Sequence, residues 1–152
     1  MEFQIYKAEL DDLDDLSVLF DQYRIFYKQK SDLQGGREFL GERISVDDSY
    51  IFIARNNDGL AAGFSQLYPS FSSQSMQRMW ILNDLYVEES FRRHGVARAL
   101  LSKSKDLAIK SGSKGLLLCT QTTNVKAQAL YEQVGFVQLS DFKWFFQEAK
   151  HV

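Results

Sequence analysis

The chain has 152 residues, 45% of them hydrophobic and 25% charged, the size and balance of one soluble globular domain, here expected to span residues 1–152. A net charge of −2 argues against a nucleic-acid partner, which imposes a basic face, and a single cysteine leaves no intrachain disulfide and no metal cluster to expect. The opening Met1-Glu2-Phe3-Gln4-Ile5 lacks the basic and apolar regions of a secretory signal, and no apolar run approaches the roughly 20 residues that cross a bilayer, so no membrane partner and a cytoplasmic setting are expected.

Phe3 to Ala8 reads as a first strand, with Phe3 and Ile5 alternating against polar neighbours. Asp11 or Asp12 then caps a helix in which Leu13, Leu16, Phe20, Tyr23 and Tyr27 recur at three- and four-residue steps. Acidic residues crowd its first turn, where the helix dipole favours them. A break at Gly35-Gly36 precedes a shorter helix from Arg37 to Ile44. Ser49 to Ala54 and Ala61 to Tyr68 are strands joined by the turn Asn56-Asn57-Asp58-Gly59. Pro69 to Gln77, rich in serine and holding the only proline, reads as a polar loop before a fourth strand from Met79 to Val87. Strands two, three and four therefore form an antiparallel meander.

Between that fourth strand and the next helix lies Arg92-Arg93-His94-Gly95-Val96-Ala97. A short loop with a glycine at a helix start suits a diphosphate: backbone N–H groups converge on the anion, the glycine allows close approach, and the helix dipole adds favourable field. No lysine-serine or lysine-threonine pair follows the glycine, so this is not a P-loop, and it lacks the three glycines of a dinucleotide fingerprint. The helix that leaves it runs from Val96 to about Ser111, with Gly112 as its stop.

Lys114 to Thr120 is the fifth strand, with Cys119 expected to pack as a small buried hydrophobe among leucines. Asn124 opens a further helix carrying Ala127, Leu130, Tyr131 and Val134, closed by Gly135-Phe136. Terminal strands are expected near Phe136 to Leu139 and Lys143 to Gln147. The order is α+β around a mixed sheet.

Taken together, R-R-x-G-x-A at Arg92, Gly95 and Ala97, and N-x-x-A-x-x-L-Y-x-x-x-G-F at Asn124, Ala127, Leu130, Tyr131, Gly135 and Phe136, resemble the GNAT N-acetyltransferase family. The resemblance runs from about Ile5 to Phe146 and is specific from Leu82 onwards. It implies a twisted, mostly antiparallel sheet of about six to seven strands with about four helices, splayed between strands four and five. Acetyl-CoA is the implied cosubstrate, its pantetheine arm pairing with the backbone of Leu85 and Val87 in that wedge, as its peptide-like amides permit. The diphosphate would rest on backbone N–H groups from Arg93 through His94, Gly95 and Val96 to Ala97, with Arg92, Arg93 and Arg98 adding charge. His94 is expected to face solvent rather than act as acid or base. Asn124, Ala127 and Tyr131 belong to the family's second cofactor-side element.

The implied reaction is attack of a primary amine of a small molecule on the thioester in a ternary complex. It needs a donor for the developing oxyanion and a proton for the leaving thiolate. Family resemblance makes Tyr131 the general acid. In the polyamine- and thialysine-acetylating branch a Glu-Asp pair stands where this chain has Asn83-Asp84. Asn83 cannot take a proton, whereas Asp84 can act directly or through a water; Glu88, at the strand's end, is a weaker candidate, and loss of the proton to water without a dedicated base stays open. Asn83, Asp84, Tyr27 and Tyr68 are the expected acceptor-side residues, and aromatic faces there suit a cationic alkylamine as well as they suit a core or an interface. A protein lysine or N-terminal amine as acceptor, and a non-catalytic acyl-CoA-binding module, remain open alternatives. The run Phe142-Lys143-Trp144-Phe145-Phe146 exceeds what a small core hides, so a homodimer is expected.

Overall fold

The computed structural model describes residues 1–150, so the last two positions of the expected 1–152 domain lie outside the described residues. It divides into two compact units, Met1–Cys119 and a second that begins at Thr120. The first holds β1 (Phe3–Lys7), α1 (Leu13–Phe26), α2 (Leu33–Val46), β2 (Tyr50–Asn56), β3 (Ala61–Ser72), β4 (Gln77–Val87), α3 (Val96–Lys110) and β5 (Leu116–Leu117). The second holds α4 (Val125–Gln133).

The sheet runs in the order β1-β2-β3-β4-β5. β1 to β4 are antiparallel neighbours and β5 joins β4 in parallel. Its construction follows from turn chemistry. Gly59 takes the left-handed conformation at φ 81°, and the Asn56 side-chain oxygen accepts from the N–H groups of Asp58 and Leu60, closing the β2–β3 hairpin. One sheet face buries Ile51, Ile53 and Phe64 under Leu13, Leu16, Leu19 and Phe20 of α1 and Leu40 of α2. α3 contributes Val96, Leu100, Leu101 and Ala108, an apolar stripe at helical spacing, and contacts β1 to β4. Trp80 Nε1 donates to Ser111 Oγ at 2.8 Å, tying the end of α3 to β4.

Several sequence expectations change. Gly35-Gly36 does not break α2: the helix starts at Leu33, because the Asp32 side chain caps it by accepting from the Gly35 N–H at 2.9 Å. Asp12 holds the N-cap position of α1 but makes no side-chain cap bond there. Its carboxylate instead accepts from Glu9 N–H, Tyr6 OH and Arg55, so tertiary pairing outcompetes the local cap. Burial works to raise the Asp12 pKa, yet the bonds from Glu9, Arg55 and Tyr6 outweigh it and hold the carboxyl below its usual range.

Pro69 to Ser72 are strand, not loop, and Gln77 already belongs to β4. Pro69 is tolerated because β2 ends its pairing at Leu67 and only β4 lies beside this part of β3, so a missing N–H costs no ladder bond on the open side. The fifth strand is two residues long and the segments near Phe136 to Leu139 and Lys143 to Gln147 are not strands, giving five strands among the described residues rather than six to seven. Strand propensity needs a neighbouring ladder, and these stretches have none among the described residues. Cys119 is exposed rather than buried, because pairing with β4 stops at Leu117 and the chain leaves the sheet first.

Leu40 is fully buried among the α1, β2 and β3 side chains that join both helices to the sheet. Leu40→Ala is expected to destabilise the protein by about 2–5 kcal/mol, through lost transfer energy and a residual cavity. Urea unfolding should show a lower midpoint at unchanged slope.

Candidate active site

The register of β3 against β4 shifts at one point, where Gln66 pairs with Asp84 but Leu67 pairs with Leu82. Asn83 is the extra residue, a β-bulge. In a regular strand Leu82 and Asp84 would share a face. With one residue inserted, Leu82 stays opposite Leu67, while Asp84 moves beside Gln66 on the face that carries Phe64 and α1. The bulge therefore places a carboxylate in an aromatic, largely dry setting that strand periodicity alone would deny it.

Asp84 is 5% exposed and Gln66 is fully buried. Gln66 Nε2 donates to Asp84 Oδ2 at 2.7 Å, Asn83 Nδ2 donates to Oδ1 at 3.1 Å, and the Tyr23 hydroxyl of α1 also bonds to this carboxylate. Burial pushes the Asp84 pKa up, against hydrogen bonds from Gln66, Tyr23 and Asn83 that favour the ionised form. Burial, then the Asp84 charge and hydrogen bond, push the Tyr23 phenol well above its ordinary range. Tyr68 on β3 is pushed up to about 12, by burial first and then by the Asp84 charge. Both phenols remain neutral at physiological pH, and the Asp84 carboxylate accepts hydrogen bonds from Gln66, Tyr23 and Asn83.

Aromatic rings extend the site along α1. Tyr23 packs edge-on against Tyr27 at 5.1 Å, Phe64 at 5.8 Å and Tyr86 at 6.3 Å between ring centroids. Tyr27 caps the end of α1 and meets Phe26 at 5.2 Å. The expected acceptor-side residues Tyr68, Asn83 and Asp84 thus meet on β3 and β4, and Tyr27 joins through Tyr23. Sequence reasoning missed Gln66 and the role of Tyr23 towards Asp84. A glutamine in a buried stretch of strand between Phe64 and Leu67 was the available signal.

β5 pairs with β4 only at Trp80↔Leu116 and Ile81↔Leu117. From Leu82 to Val87 that edge of β4 carries no strand among the described residues, so the two strands separate along the stretch that includes Leu85 and Val87. Beyond Val87 a short 3₁₀ turn at Glu89–Phe91 leads into the loop. Arg93 and Gly95 take positive φ values of 65° and 82°, and Val96 begins α3. Left-handed residues next to right-handed helix turn successive N–H groups to one side, and the first N–H groups of a helix have no intrahelical acceptor. A Cβ built on Gly95 would project into open space, with no heavy atom within 4 Å. The loop therefore has the form of an anion cradle, and at Gly95 its backbone is unobstructed by protein side chains.

Within this loop Arg93 and His94 are exposed, Val96 is buried and Ala97 partly so. Arg92, expected to add charge beside the diphosphate, also makes contacts within the protein. Its Nε donates to the Val87 carbonyl at 3.1 Å, and its guanidinium lies 5.6 Å from the Tyr86 ring centroid and 6.0 Å from that of Phe26. It ties the loop back to β4 and to the end of α1.

In the second unit, Asn124 caps α4 by accepting from the Ala127 N–H at 3.3 Å. Gly135, at φ 101°, ends the helix: its N–H donates to Glu132 and that of Phe136 to Tyr131. This is a Schellman termination, and the Tyr131 and Phe136 rings meet across it at 5.8 Å. The L-Y-x-x-x-G-F spacing has a local structural cause, namely a cap that holds the Tyr131 ring in one orientation.

Among the described residues no three His, Cys, Asp or Glu side chains are grouped to hold a metal ion, and no helix is long and apolar enough to cross a membrane.

The model of the Acetyltransferase (GNAT) family matches residues 13–136. The chain is 47% identical to an uncharacterized N-acetyltransferase, YhfO, of Bacillus subtilis over 138 residues, covering 91% of this chain and 92% of that one. It is 31% identical to a thialysine N-epsilon-acetyltransferase of Caenorhabditis elegans over 144 residues, covering 94% and 89%. A crystal structure of a probable acetyltransferase superposes with a TM-score of 0.91 at 39% identity, over 97% of this chain and 99% of that one. With a splayed mixed sheet, an anion cradle opening α3 and these relatives, the chain belongs to the GNAT family and is an acyltransferase.

Proposed function

We propose that this enzyme transfers the acetyl group of acetyl-CoA to a primary amine of a small molecule, by direct attack in a ternary complex and within a single catalytic domain. The observation that carries the reading is the buried Asp84 carboxylate, ringed by Tyr23, Tyr68, Gln66 and Asn83 on the strand that leads to the anion cradle. A strand rises about 3.3 Å per residue, so Asp84 stands about 10 Å from the end of β4 at Val87. A carboxylate among aromatic faces suits an alkylammonium, through charge and through cation–π attraction. The C. elegans relative is named for acetylation of thialysine at its N-epsilon, which supports a small aliphatic amine as acceptor.

Asp84 holds the acceptor as the ammonium and then takes its proton, directly or through a water. A raised carboxyl pKa makes it a stronger base than an ordinary aspartate. The free amine attacks the thioester carbonyl carbon and the C–N bond forms; the C–S bond then breaks, the sulfur takes a proton, and the second proton lost by the new amide nitrogen returns through water to restore the proton donor. Tyr131 supplies that proton, a role that rests on its place in the family's Asn-Ala-Leu-Tyr-Gly-Phe pattern. The backbone N–H groups of Arg93, His94, Gly95, Val96 and Ala97 hold the diphosphate and the free edge of β4 at Leu85 and Val87 pairs with pantetheine; the family pattern assigns Asn124 and Ala127 to the cofactor as well. Direct attack by the amine needs no acyl-cysteine step, and none is assigned to the exposed Cys119.

The reading is tested with acetyl-CoA and a panel of diamines, polyamines, thialysine, ornithine and a lysine peptide, following CoA release and product mass. Turnover of a small amine well above the peptide is expected, and turnover of the peptide alone would defeat it. With the best amine, Tyr131→Phe should lower kcat by about 10²-fold, at the lower end of general-acid contributions because a thiol leaves readily, with acetyl-CoA affinity nearly unchanged.

Gly95→Val places a branched side chain where the diphosphate would lie, at a φ that β-branched residues avoid. Calorimetry should detect no acetyl-CoA binding to the folded variant. In the second unit, Phe145 and Phe146 are 91% and 92% exposed beside exposed Phe142 and Trp144, an apolar run that supports a homodimer. Light scattering at micromolar concentration should return twice the chain mass.

A further inference from the structure

Behind Asp84 the hydrogen bonds continue away from the acceptor side. The Ser49 hydroxyl, just before β2, donates to Gln66 Oε1 at 2.9 Å, while Gln66 Nε2 donates to Asp84 Oδ2 at 2.7 Å. Ser49 is 8% exposed, Gln66 is fully buried and Asp84 is 5% exposed. A glutamine side chain has a donor end and an acceptor end, and only the donor end can favourably face a carboxylate. A partner that donates to the oxygen keeps the amide turned that way, and in a dry setting each bond of such a chain polarises the next.

We propose that Ser49 and Gln66 are positioning residues for Asp84: the Ser49 hydroxyl holds the Gln66 amide with its N–H groups against a carboxylate that Ser49 itself does not touch. This inference rests on the reading of Asp84 as the acceptor-side carboxylate. It makes the protonation of Asp84 depend on a residue at the far side of β3. The other groups that face Asp84 are Tyr23 from α1, Tyr68 from β3 and its strand neighbour Asn83, with Arg43 of α2 and Asp48 facing the Tyr68 phenol. Loss of a donor weakens the ionised form more than the neutral one, so the Asp84 titration moves to higher pH. Ser49 also lines an open cavity of about 450 Å³ with Lys7, Ile44, Asp47 and Ile51, which leaves room for one added methyl group.

The test follows the Asp84 side-chain carboxyl by ¹³C NMR across pH in the full chain, with the resonance assigned from Asp84→Asn. Gln66→Met should raise the titration midpoint by about one pH unit and Ser49→Ala by about half as much. Ser49→Thr, which keeps the hydroxyl, should restore the wild-type midpoint. A packing role for Ser49 would lower the melting temperature without moving this titration. A folded Ser49→Ala with an unchanged midpoint, or a Ser49→Thr shifted as far as Ser49→Ala, overturns the proposal. If Ser49→Ala does not fold, an unchanged midpoint in Gln66→Met overturns it instead. The titration needs no acceptor amine. If Asp84→Asn keeps full turnover with acetyl-CoA and the best amine of the panel, the functional reading of Asp84 falls, while the titration still decides the roles of Ser49 and Gln66.

Discussion

Between Gln66 and Leu67, β3 advances one residue while β4 advances two, and the chemistry of the first unit depends on that mismatch. A strand presents alternate residues to alternate faces, so one inserted residue reverses the phase of everything after it. Here the reversal keeps Leu82 in the apolar packing opposite Leu67 and turns Asp84 and Tyr86 towards α1. The carboxylate is desolvated yet provided with three donors, an arrangement in which neither full neutralisation nor a freely solvated charge is favoured.

The same strand links two kinds of recognition. Its middle holds Asp84 among aromatic rings, and its end runs into a loop whose backbone is bent by positive φ at Arg93 and Gly95. Arg92 connects them, with one donor on the Val87 carbonyl and its flat face near Tyr86 and Phe26. An arginine suits this place because its guanidinium can stack and donate at once, which a lysine ammonium cannot. One arginine side chain of the loop is thereby used to hold the loop in shape.

Stability and site construction share elements. α1 contributes Leu16, Leu19 and Phe20 to the core, and one turn further on Tyr23 reaches Asp84. The Tyr23 ring bridges the two roles, packing on Phe64 and Tyr86 while its hydroxyl serves the carboxylate. At the other end of α1, Asp12 and Asp15 give up ordinary helix-end duties to hold Arg55 of β2. The helix is thus pinned to the sheet at its start by ion pairs and along its length by apolar packing.

Local chemistry in the sequence determined a good deal on its own. Asn56 to Gly59 specified a hairpin, Gly95 and Gly112 bounded α3, and Asn124 and Gly135 bounded α4, because caps and tight turns are decided by residues within a few positions of each other. The same locality made the R-R-x-G-x-A loop and the L-Y-x-x-x-G-F helix end recognisable as family features. Tertiary structure alone decided the rest. The bulge at Asn83 is a relation between two strands, and nothing in β4 by itself reveals that β3 is one residue short opposite it. Gln66 becomes part of the site only when that register sets it beside Asp84, and Ser49 only when β2 sets it behind Gln66. Asp12 read as a cap until Arg55 arrived from another strand. The aromatic stretch after Phe136 read as strands, but a strand exists only with a neighbour to bond, and a sequence cannot state whether one is present.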